Sequence, residues 1–392
     1  MAACKPWPNL PASNPYCILA LLAAFISAAV LHVECSSRVG LIDSAPPASA
    51  SANLSSNLAS TQADFLQWVR VVSAKSHPAT SSAAVFFTNA ASSSDSKNVI
   101  TVAKSGKADF SSVQAAVNAV PANNKKRVVI QIAAGTYKEK VDIPKNKPYI
   151  SFIGAGSDVT TITWQDTATS AGSTFKSASV AVNSDFFIAK GISFKNSAPA
   201  PPPGAVGKQA VALRISGDKA SFYLCKFYGA QDTLYDHEGR HYFKSCFIQG
   251  SIDFVFGNGL SYYDGCELRS IATSSGSLTA QKREKPSENT GFSFVNCKVT
   301  GSGMIYLGRA WGSYSRVVFL FSYIDKIIVP AGWNDFGDSS SQKTAFYGEY
   351  QCSGPGASSK NRVAWSYQLT AIQAAPFQSL NFVDGESWVQ AA

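Results

Sequence analysis

Residues 220–227 read ASFYLCKF, residues 241–248 read HYFKSCFI, and residues 261–268 read SYYDGCEL. The three stretches share an aromatic third residue, a cysteine at the sixth position and an apolar residue at the eighth. Three further segments keep this pattern, with serine accepted at the sixth position and proline at the end of the first: ISFKNSAP (192–199), FSFVNCKV (292–299) and VVFLFSYI (317–324). A pattern that recurs six times indicates a repeat architecture.

The intervals between the repeats indicate which architecture they build. The aromatic positions are 28, 21, 20, 31 and 25 residues apart, counted along Phe194, Phe222, Phe243, Tyr263, Phe294 and Phe319. Variable intervals of this length are typical of a parallel β-helix, in which each turn adds a strand to every sheet and loops of different length project outward. We therefore predict an all-β solenoid of this kind, with an ordinary β-sandwich as the alternative.

Two aspartates occupy equivalent places after two of these segments. Asp232 is five residues beyond Phe227, and Asp253 is five residues beyond Ile248. If the segments stack, the backbones of the two aspartates lie about 5 Å apart. Two carboxylates this close do not both ionise readily, so one can donate a proton while the other serves as nucleophile or base. A nearby cation would keep Asp253 ionised, and Arg309 is our candidate; the alternative is that both aspartates only cap turns.

The composition describes a globular, strand-rich chain with a basic surface. Of 392 residues, 45% are hydrophobic and 15% are charged, and the formal net charge is +9. Positive charge attracts polyanions such as nucleic acid or an acidic polysaccharide; a surface that only aids solubility is the other interpretation. The sequence contains no dense Lys/Arg block and no RNA-binding aromatic signature, so we expect no nucleic acid partner.

The chain begins with features of a secreted protein. An apolar run, CILALLAAFISAAVLHV (17–33), is shorter than the ~20 residues of a typical membrane span and is followed by small residues. We therefore expect residues 1–35 to be a signal peptide, and the mature protein to be extracellular without stable membrane association. A sequon at Asn53 predicts a glycoprotein.

Composition divides the remainder into a linker and one large domain. Residues 36–96 are rich in Ser and Ala, and FLQWVRVV (65–72) within them predicts a short helix. Residues 97–392 are expected to form the β-helix domain, entered through a helical pattern at 110–121 that ends at Pro121.

The cysteines of this domain fall on the repeat. Cys225, Cys246, Cys266 and Cys297 should form a stacked row. In an oxidising compartment they are either paired between turns or left as small buried apolar groups, and the sequence leaves both alternatives open.

Several ordered motifs between residues 97 and 392 carry a family resemblance. The chain resembles the pectin methylesterases at GTYKEKV (135–141), QAVAL (209–213), GAQDTLY (229–235), DFVFGN (253–258), LTAQ (278–281), LGRAW (307–311), and YGEY with GPGA (347–357). So many motifs in order are far more specific than any one alone. The resemblance implies a right-handed parallel β-helix and hydrolysis of galacturonate methyl esters in pectin, with release of methanol.

The resemblance also implies roles for the matching residues. Asp253 would be the nucleophile, and Asp232 the general acid that protonates methanol and then the base that activates water. Gln209 and Gln231 would donate N–H groups to the developing oxyanion, and Arg309 would hold Asp253 charged and oriented. The sugar site would be lined by Trp311, with Phe254, Tyr235 and Tyr137 as further members of the cleft wall.

The chain departs from the family pattern at two positions. Ala310 replaces the usual proline of LGRAW, which frees a backbone dihedral beside the arginine. Phe336 replaces the usual tryptophan in GWNDFG (332–337) and alters the surface on which a sugar stacks. Residues 36–96 are also too short for the inhibitor-like pro-region of many plant members. The resemblance further implies methyl-esterified pectin as substrate, a proteinaceous inhibitor as an additional partner, a monomer, and action in the cell wall.

Rival functions have weaker support in the sequence. HEGRH (237–241) matches the zinc motif HExxH, but that motif needs a helix, and Gly239 and strand-like flanks oppose one here. The G-x-S-x-G elbow of serine esterases does not occur. A pectin lyase, a polygalacturonase or a non-catalytic wall-binding protein would keep the same solenoid, although the Gln-Asp and Asp constellation favours acyl transfer. No P-loop, dinucleotide fingerprint or metal-ligand cluster occurs in the sequence, so we expect no cofactor and no metal.

Overall fold

Short strands joined by tight corners make up most of the computed structural model, which describes residues 98–202 and 204–389. Val, Ile and aromatic residues are frequent along these strands, and they suit the buried, pleated surface of a sheet. The strands pair in parallel. The expected signal peptide, the linker with its helix, and Asn53 lie outside the described residues.

Sheet A runs along one side of the solenoid and has eleven strands. In order they are β1 Val99–Val102, β2 Val128–Ile132, β5 Ile150–Gly154, β8 Ile188–Lys190, β11 Ala220–Tyr223, β14 Arg240–Lys244, β17 Leu260–Asp264, β19 Gly291–Val295, β21 Arg316–Leu320, β24 Phe346–Tyr350 and β25 Tyr367–Gln368.

Two further ladders, sheets B and C, complete each turn. Sheet B contains β3 Gly135–Lys138, β6 Thr160–Trp164, β9 Ser193–Asn196, β12 Lys226–Tyr228 and β15 Phe247–Gly250. Sheet C contains β4 Val141–Ile143, β7 Val180–Val182, β10 Leu213–Ile215, β13 Leu234–Asp236 and β16 Ile252–Gly257. The long strands β18 Glu267–Gln281 and β20 Lys298–Ala310 run through both ladders and pair onward with β22 Tyr323–Ile324 and β23 Trp333–Asn334.

This architecture is a parallel β-helix, which confirms the solenoid prediction. Its interior contains a row of aromatic rings, stacked at centroid separations of 4.8, 4.5, 4.4 and 4.6 Å, from Phe222, Phe243, Tyr263, Phe294 and Phe319. The prediction was wrong for Phe194, because Phe222 pairs with Ala189 and Phe194 pairs with Phe227 in sheet B. Buried residues recur with similar spacing in sheets A and B. Segment 192–199 therefore matched the pattern on β9 of sheet B, although the equivalent strand of sheet A is β8, which precedes it.

From Cys246 onward, the sixth position of the repeat joins each turn to the preceding one. The Cys246 thiol donates to the Phe222 carbonyl at 3.5 Å, and the Ser322 hydroxyl donates to the Phe294 carbonyl at 3.4 Å. Five described cysteines are free: Cys225, Cys246, Cys266, Cys297 and Cys352. The sequence left open whether the predicted row of cysteines is paired between turns or consists of small buried apolar groups. The four cysteines of the row are free and buried, which agrees with the second alternative.

A left-handed residue makes the corner between sheets A and B. The corner residues, each directly before the sixth position, have φ between 49° and 62°: Leu224, Ser245, Gly265, Asn296, Phe321 and Gln351. The corner recurs at the same place in the repeat. Two residues that follow their own corners by the same number of residues therefore stack on adjacent turns.

Helices are few and short. Helix α1, Val113–Ala119, lies within the predicted 110–121 and buries Val113 and Val117. Its first turn is capped by Ser112 and by the Glu139 carboxylate, which accepts two backbone N–H groups at 2.9 Å. The others are α2 Ala168–Ala171, α3 Ala371–Ala374 and the 3₁₀ helices Phe175–Ser177, Ser339–Lys343, Ala375–Phe377, Leu380–Val383 and Gly385–Ser387. None of the described helices has the length and apolar character needed to cross a membrane.

Candidate active site

Asp232 and Asp253 lie at equivalent corners between sheets B and C. Gln231 pairs with Ile252, and the backbone N–H of Asp232 donates to the Ile252 carbonyl at 3.0 Å. Both aspartates have positive φ, 65° and 50°, at the point where the chain turns toward sheet C. They are thus separated by one strand spacing, about 4.8 Å along the solenoid.

Arg309 pairs with Asp253 through two hydrogen bonds. Its Nε donates to Asp253 Oδ1 at 2.7 Å, and its second terminal nitrogen donates to Oδ2. Both side chains are buried, and the guanidinium lies 4.1 Å from the ring centroid of Phe336. A two-pronged ion pair of this kind stabilises the carboxylate form and fixes its orientation.

Asp232 has a very different environment. It is buried, and its Oδ1 has no hydrogen-bond partner in the described part of the chain. Burial, together with the negative charge of Asp253, raises the pKa of Asp232 well above its ordinary value, against a smaller opposing effect of Arg309. The corner therefore places a carboxyl whose protonated form is favoured beside a carboxyl that is held by a guanidinium.

The two glutamines of the predicted site lie on neighbouring turns. The Ala210 N–H donates to the Gln231 carbonyl at 3.1 Å, so the residue that follows Gln209 is bonded to the turn of Gln231. Both side chains are largely buried. Gln231 directly precedes Asp232, so its amide belongs to the same corner as the carboxyl pair.

An aromatic wall lies on the outer face of sheet C. Tyr235 and Phe256 are register partners and stack at 4.2 Å, and Trp311 packs against Phe256 at 6.1 Å. These rings form a cluster separate from the solenoid core. The sequence prediction included Tyr235 and Trp311 but missed Phe256, although strand alternation signals it, since Phe256 faces the same side of its strand as Tyr235 does on the neighbouring one.

Two predicted members of the cleft wall lie elsewhere. Phe254 is fully buried in the main core. The chain turns at Asp253, with φ of 50°, and the register shifts between Ile252 and Val255, so regular alternation does not place Phe254 on the outer face with Phe256. Tyr137 is also fully buried, and its hydroxyl donates to the Ala133 carbonyl at 3.0 Å. Neither assignment to the cleft wall is therefore retained.

The sequence also missed a polar and aromatic group beside Tyr235. The guanidinium of Arg214 lies 3.6 Å from the ring centroid of Phe175, and His237 meets both Phe175 and Tyr235 edge-on at 5.2 and 5.0 Å. Arg214 is the register partner of Tyr235. Phe175 belongs to the 3₁₀ helix Phe175–Ser177 between β6 and β7, and no repeat position could have indicated it.

The HEGRH segment does not form a zinc-binding helix. It spans a turn and the start of β14, and His241 is buried between Asp236 Oδ1, at 2.5 Å, and the Gly217 carbonyl, at 3.0 Å. Both ring nitrogens are thus engaged inside the solenoid. No group of three or more His, Cys, Asp or Glu suited to a metal occurs among residues 98–202 and 204–389.

The two departures from the family pattern leave the ion pair intact. Ala310 continues strand β20 and pairs with Gln281, and Arg309 keeps both bonds to Asp253. The guanidinium lies over the Phe336 ring.

One protein family matches the sequence over almost the whole solenoid. The model of the Pectinesterase family matches residues 99–386. The chain belongs to the pectinesterase family. It is 50% identical over 304 residues to "Probable pectinesterase 8" of Arabidopsis thaliana, covering 76% of this chain and 77% of that protein. It is 48% identical over 293 residues to "Putative pectinesterase 14" of the same plant, covering 74% and 88%.

Solved pectin methylesterases share the fold of this pectinesterase. The enzyme from carrot superposes with a TM-score of 0.71 at 37% identity, covering 76% of this chain and 97% of that one. A pectin methylesterase in complex with a hexasaccharide superposes with a TM-score of 0.64 at 26% identity, covering 74% and 98%. The solenoid is a right-handed parallel β-helix, and this pectinesterase is a carboxylic ester hydrolase that removes methyl esters from pectin.

Proposed function

We propose that this pectinesterase cleaves the galacturonate methyl ester through an acyl-enzyme on Asp253. A carboxylate oxygen of Asp253 attacks the ester carbonyl carbon, the bond to the methoxy oxygen breaks, and an anhydride joins Asp253 to the galacturonate. The observation that carries the proposal is the unequal pair of carboxyls on adjacent turns, one buried with a raised pKa and one bonded to Arg309.

Asp232 supplies the proton that this step needs. Its raised pKa keeps the carboxyl protonated, so it can neutralise the departing methoxide as methanol. Asp232 is then a carboxylate and removes a proton from the water that attacks the anhydride. The products are free galacturonate, a regenerated Asp253 and a reprotonated Asp232.

Gln209 and Gln231 stabilise the negative oxygen that forms during attack. Amide N–H donors preorganised at such an oxygen contribute about 3 kcal/mol each to lowering the barrier. Arg309 acts on Asp253, which it holds charged and aimed.

Methyl-esterified pectin is the substrate, and the aromatic wall receives it. Trp311 and Tyr235 remain half-buried, so parts of their rings stay open to a sugar, while Phe256 supports both from below. The related pectin methylesterase in complex with a hexasaccharide supports an extended carbohydrate ligand here. The protein is secreted to the cell wall, acts there as a monomer and carries a glycan at Asn53. A proteinaceous inhibitor regulates its activity.

Replacement of the nucleophile tests the mechanism. Asp253→Asn keeps the size of the side chain but cannot form the anhydride, so methanol release from methylated pectin should fall at least about 1000-fold. Asp158→Asn is the matched control, because Asp158 is an exposed aspartate, and it should retain wild-type turnover. A folded Asp253→Asn protein with near-normal methanol release would exclude the covalent role.

A further inference from the structure

The outer surface of sheet B contains a depression of about 570 Å³ that the catalytic mechanism does not use. It crosses the first four strands of this sheet, β3, β6, β9 and β12. Lys138, Thr163, Lys195 and Tyr228 are consecutive register partners and form one outward row along its floor. Trp164 and Gln165 also line the depression, and we call this surface the sheet-B groove.

The sheet-B groove carries uncompensated positive charge. Lys138 and Lys195 are exposed, and neither forms an ion pair with an acidic side chain within residues 98–202 and 204–389. The nearby Asp166 already pairs with Lys140 at 2.6 Å. One strand separates the two lysines, so their backbones are about 10 Å apart. Two ammonium groups at a fixed separation suit a ligand with regularly repeated carboxylates.

Other residues of the groove suit the hydroxyl groups and the ring faces of a sugar acid. The hydroxyl Oγ1 of Thr163 is buried and has no hydrogen-bond partner in the described part of the chain. A buried hydroxyl without a partner is unfavourable, and a polar ligand would satisfy it. Trp164 and Tyr228 are half-buried and offer apolar ring surface beside these polar groups.

We propose that the sheet-B groove is a second carbohydrate-binding site, which holds a de-esterified, anionic stretch of galacturonan. The proposal rests on the pectin-directed function of the enzyme. Tyr228 precedes Asp232 by four residues on the same turn, so the groove adjoins the catalytic corner but faces outward from a different sheet. An acidic stretch held there keeps the remaining methylated part of the same chain at high effective concentration near the site.

Charge reversal in the groove tests the proposal. The double variant K138E/K195E should bind polygalacturonate about fivefold more weakly, in the range that two exposed ion pairs supply. It should also raise KM for long, partly de-esterified pectin while leaving kcat on short methylated oligomers unchanged. The matched control K326E/K360E makes the same change in net charge at two exposed lysines elsewhere, and its affinity for polygalacturonate should equal that of wild type.

Thr163→Val provides a variant without any change of charge. It removes only the buried hydroxyl, so it should weaken polygalacturonate binding without lowering Tm. Equal affinity of K138E/K195E and wild type would overturn the proposal, and so would an equal loss in K326E/K360E. If wild type self-associates and K138E/K195E does not, the groove would instead be an interface with a second copy of the chain. If K138E/K195E loses as much affinity for dextran sulfate as for polygalacturonate, the groove would be a general polyanion surface.

The outcomes also separate this inference from the proposed function. If wild type released no methanol but K138E/K195E still lost affinity for polygalacturonate, the groove would stand and the catalytic assignment would fail. If methanol release depended on Asp253 while K138E/K195E bound polygalacturonate normally, the catalytic assignment would stand and the assignment of the groove would fail.

Discussion

The burial of Asp232 gives the site a proton donor but lowers the stability of the folded protein at neutral pH. Its pKa is raised in the native state by burial and by the neighbouring Asp253 charge. Above pH ~4 the unfolded state releases this proton while the native state retains it or buries a charge. Stability is therefore lost as the pH rises from the ordinary value of a carboxyl through the raised one.

Asp232→Asn should separate stability from activity. An amide does not ionise, so Tm at pH 7 should rise by about 2–4 °C, whereas at pH 3, where both states are protonated, Tm should match wild type. Methanol release should be lost, since the amide cannot donate the required proton. Thermal unfolding at the two pH values, with Asp158→Asn as control, measures the first effect. An unchanged Tm at pH 7 would contradict the raised pKa.

Arg309→Lys should reveal what the guanidinium contributes beyond charge. Lysine keeps a cation beside Asp253 but lacks the planar fork that makes two bonds to one carboxylate. A nucleophile that moves by about 1 Å loses about 100-fold in rate. We expect kcat to fall by about that factor with little change in KM or Tm, and steady-state kinetics would check it. An equal rise in KM would indicate a substrate-binding role instead.

At the scale of the repeat element, the aromatic third position and the cysteine sixth position form one structural unit. The sixth residue donates to the carbonyl of the third residue one turn earlier, as Cys246 does to Phe222. A small side chain fits between the turns there, and serine performs the same task at Ser322. The pattern that appears in the sequence as a motif is thus an inter-turn hydrogen bond.

Since the row of cysteines is reduced, a reducing agent should not weaken the solenoid. The four thiols are almost fully buried, which shields them from oxidants and from thiol reagents. Addition of dithiothreitol should leave Tm unchanged, and thiol reagents should label this row only after unfolding. A fall in Tm on reduction would show that a disulfide stabilises the native protein.

The sequence predicted the part of the fold that repeats and missed the part that does not. Five of the six aromatic positions were correct because stacking selects the same residue type on each turn, while Phe194 was misplaced because sheet B has its own buried row. At the site, equal spacing brought Asp232 and Asp253 together correctly. Phe175, in a 3₁₀ helix, contacts Arg214 and has no repeat position to reveal it. Phe336, which contacts Arg309, was identified only through the family resemblance.

At the scale of the whole molecule, the net charge of +9 favours encounter with an acidic polymer. Raising ionic strength from about 0.01 M to about 1 M shortens the range of these charges from about 30 Å to about 3 Å. We expect kcat/KM on partly de-esterified pectin to fall about tenfold over this range. Kinetics on a short, fully methylated oligomer provide the control, and equal salt sensitivity of the two substrates would contradict long-range attraction.

The left-handed corner between sheets A and B has a consequence for how this enzyme can diverge. From Leu224 to Asp232 and from Ser245 to Asp253 the chain has the same number of residues, so the two acids arrive together. One residue inserted into either stretch would separate them, whereas the segments 204–208 and 282–290 contain neither of the two acids nor the chain that aligns them. Evolution and engineering can therefore lengthen those outer segments to alter which polymer is accepted, while the hydrolytic pair stays aligned.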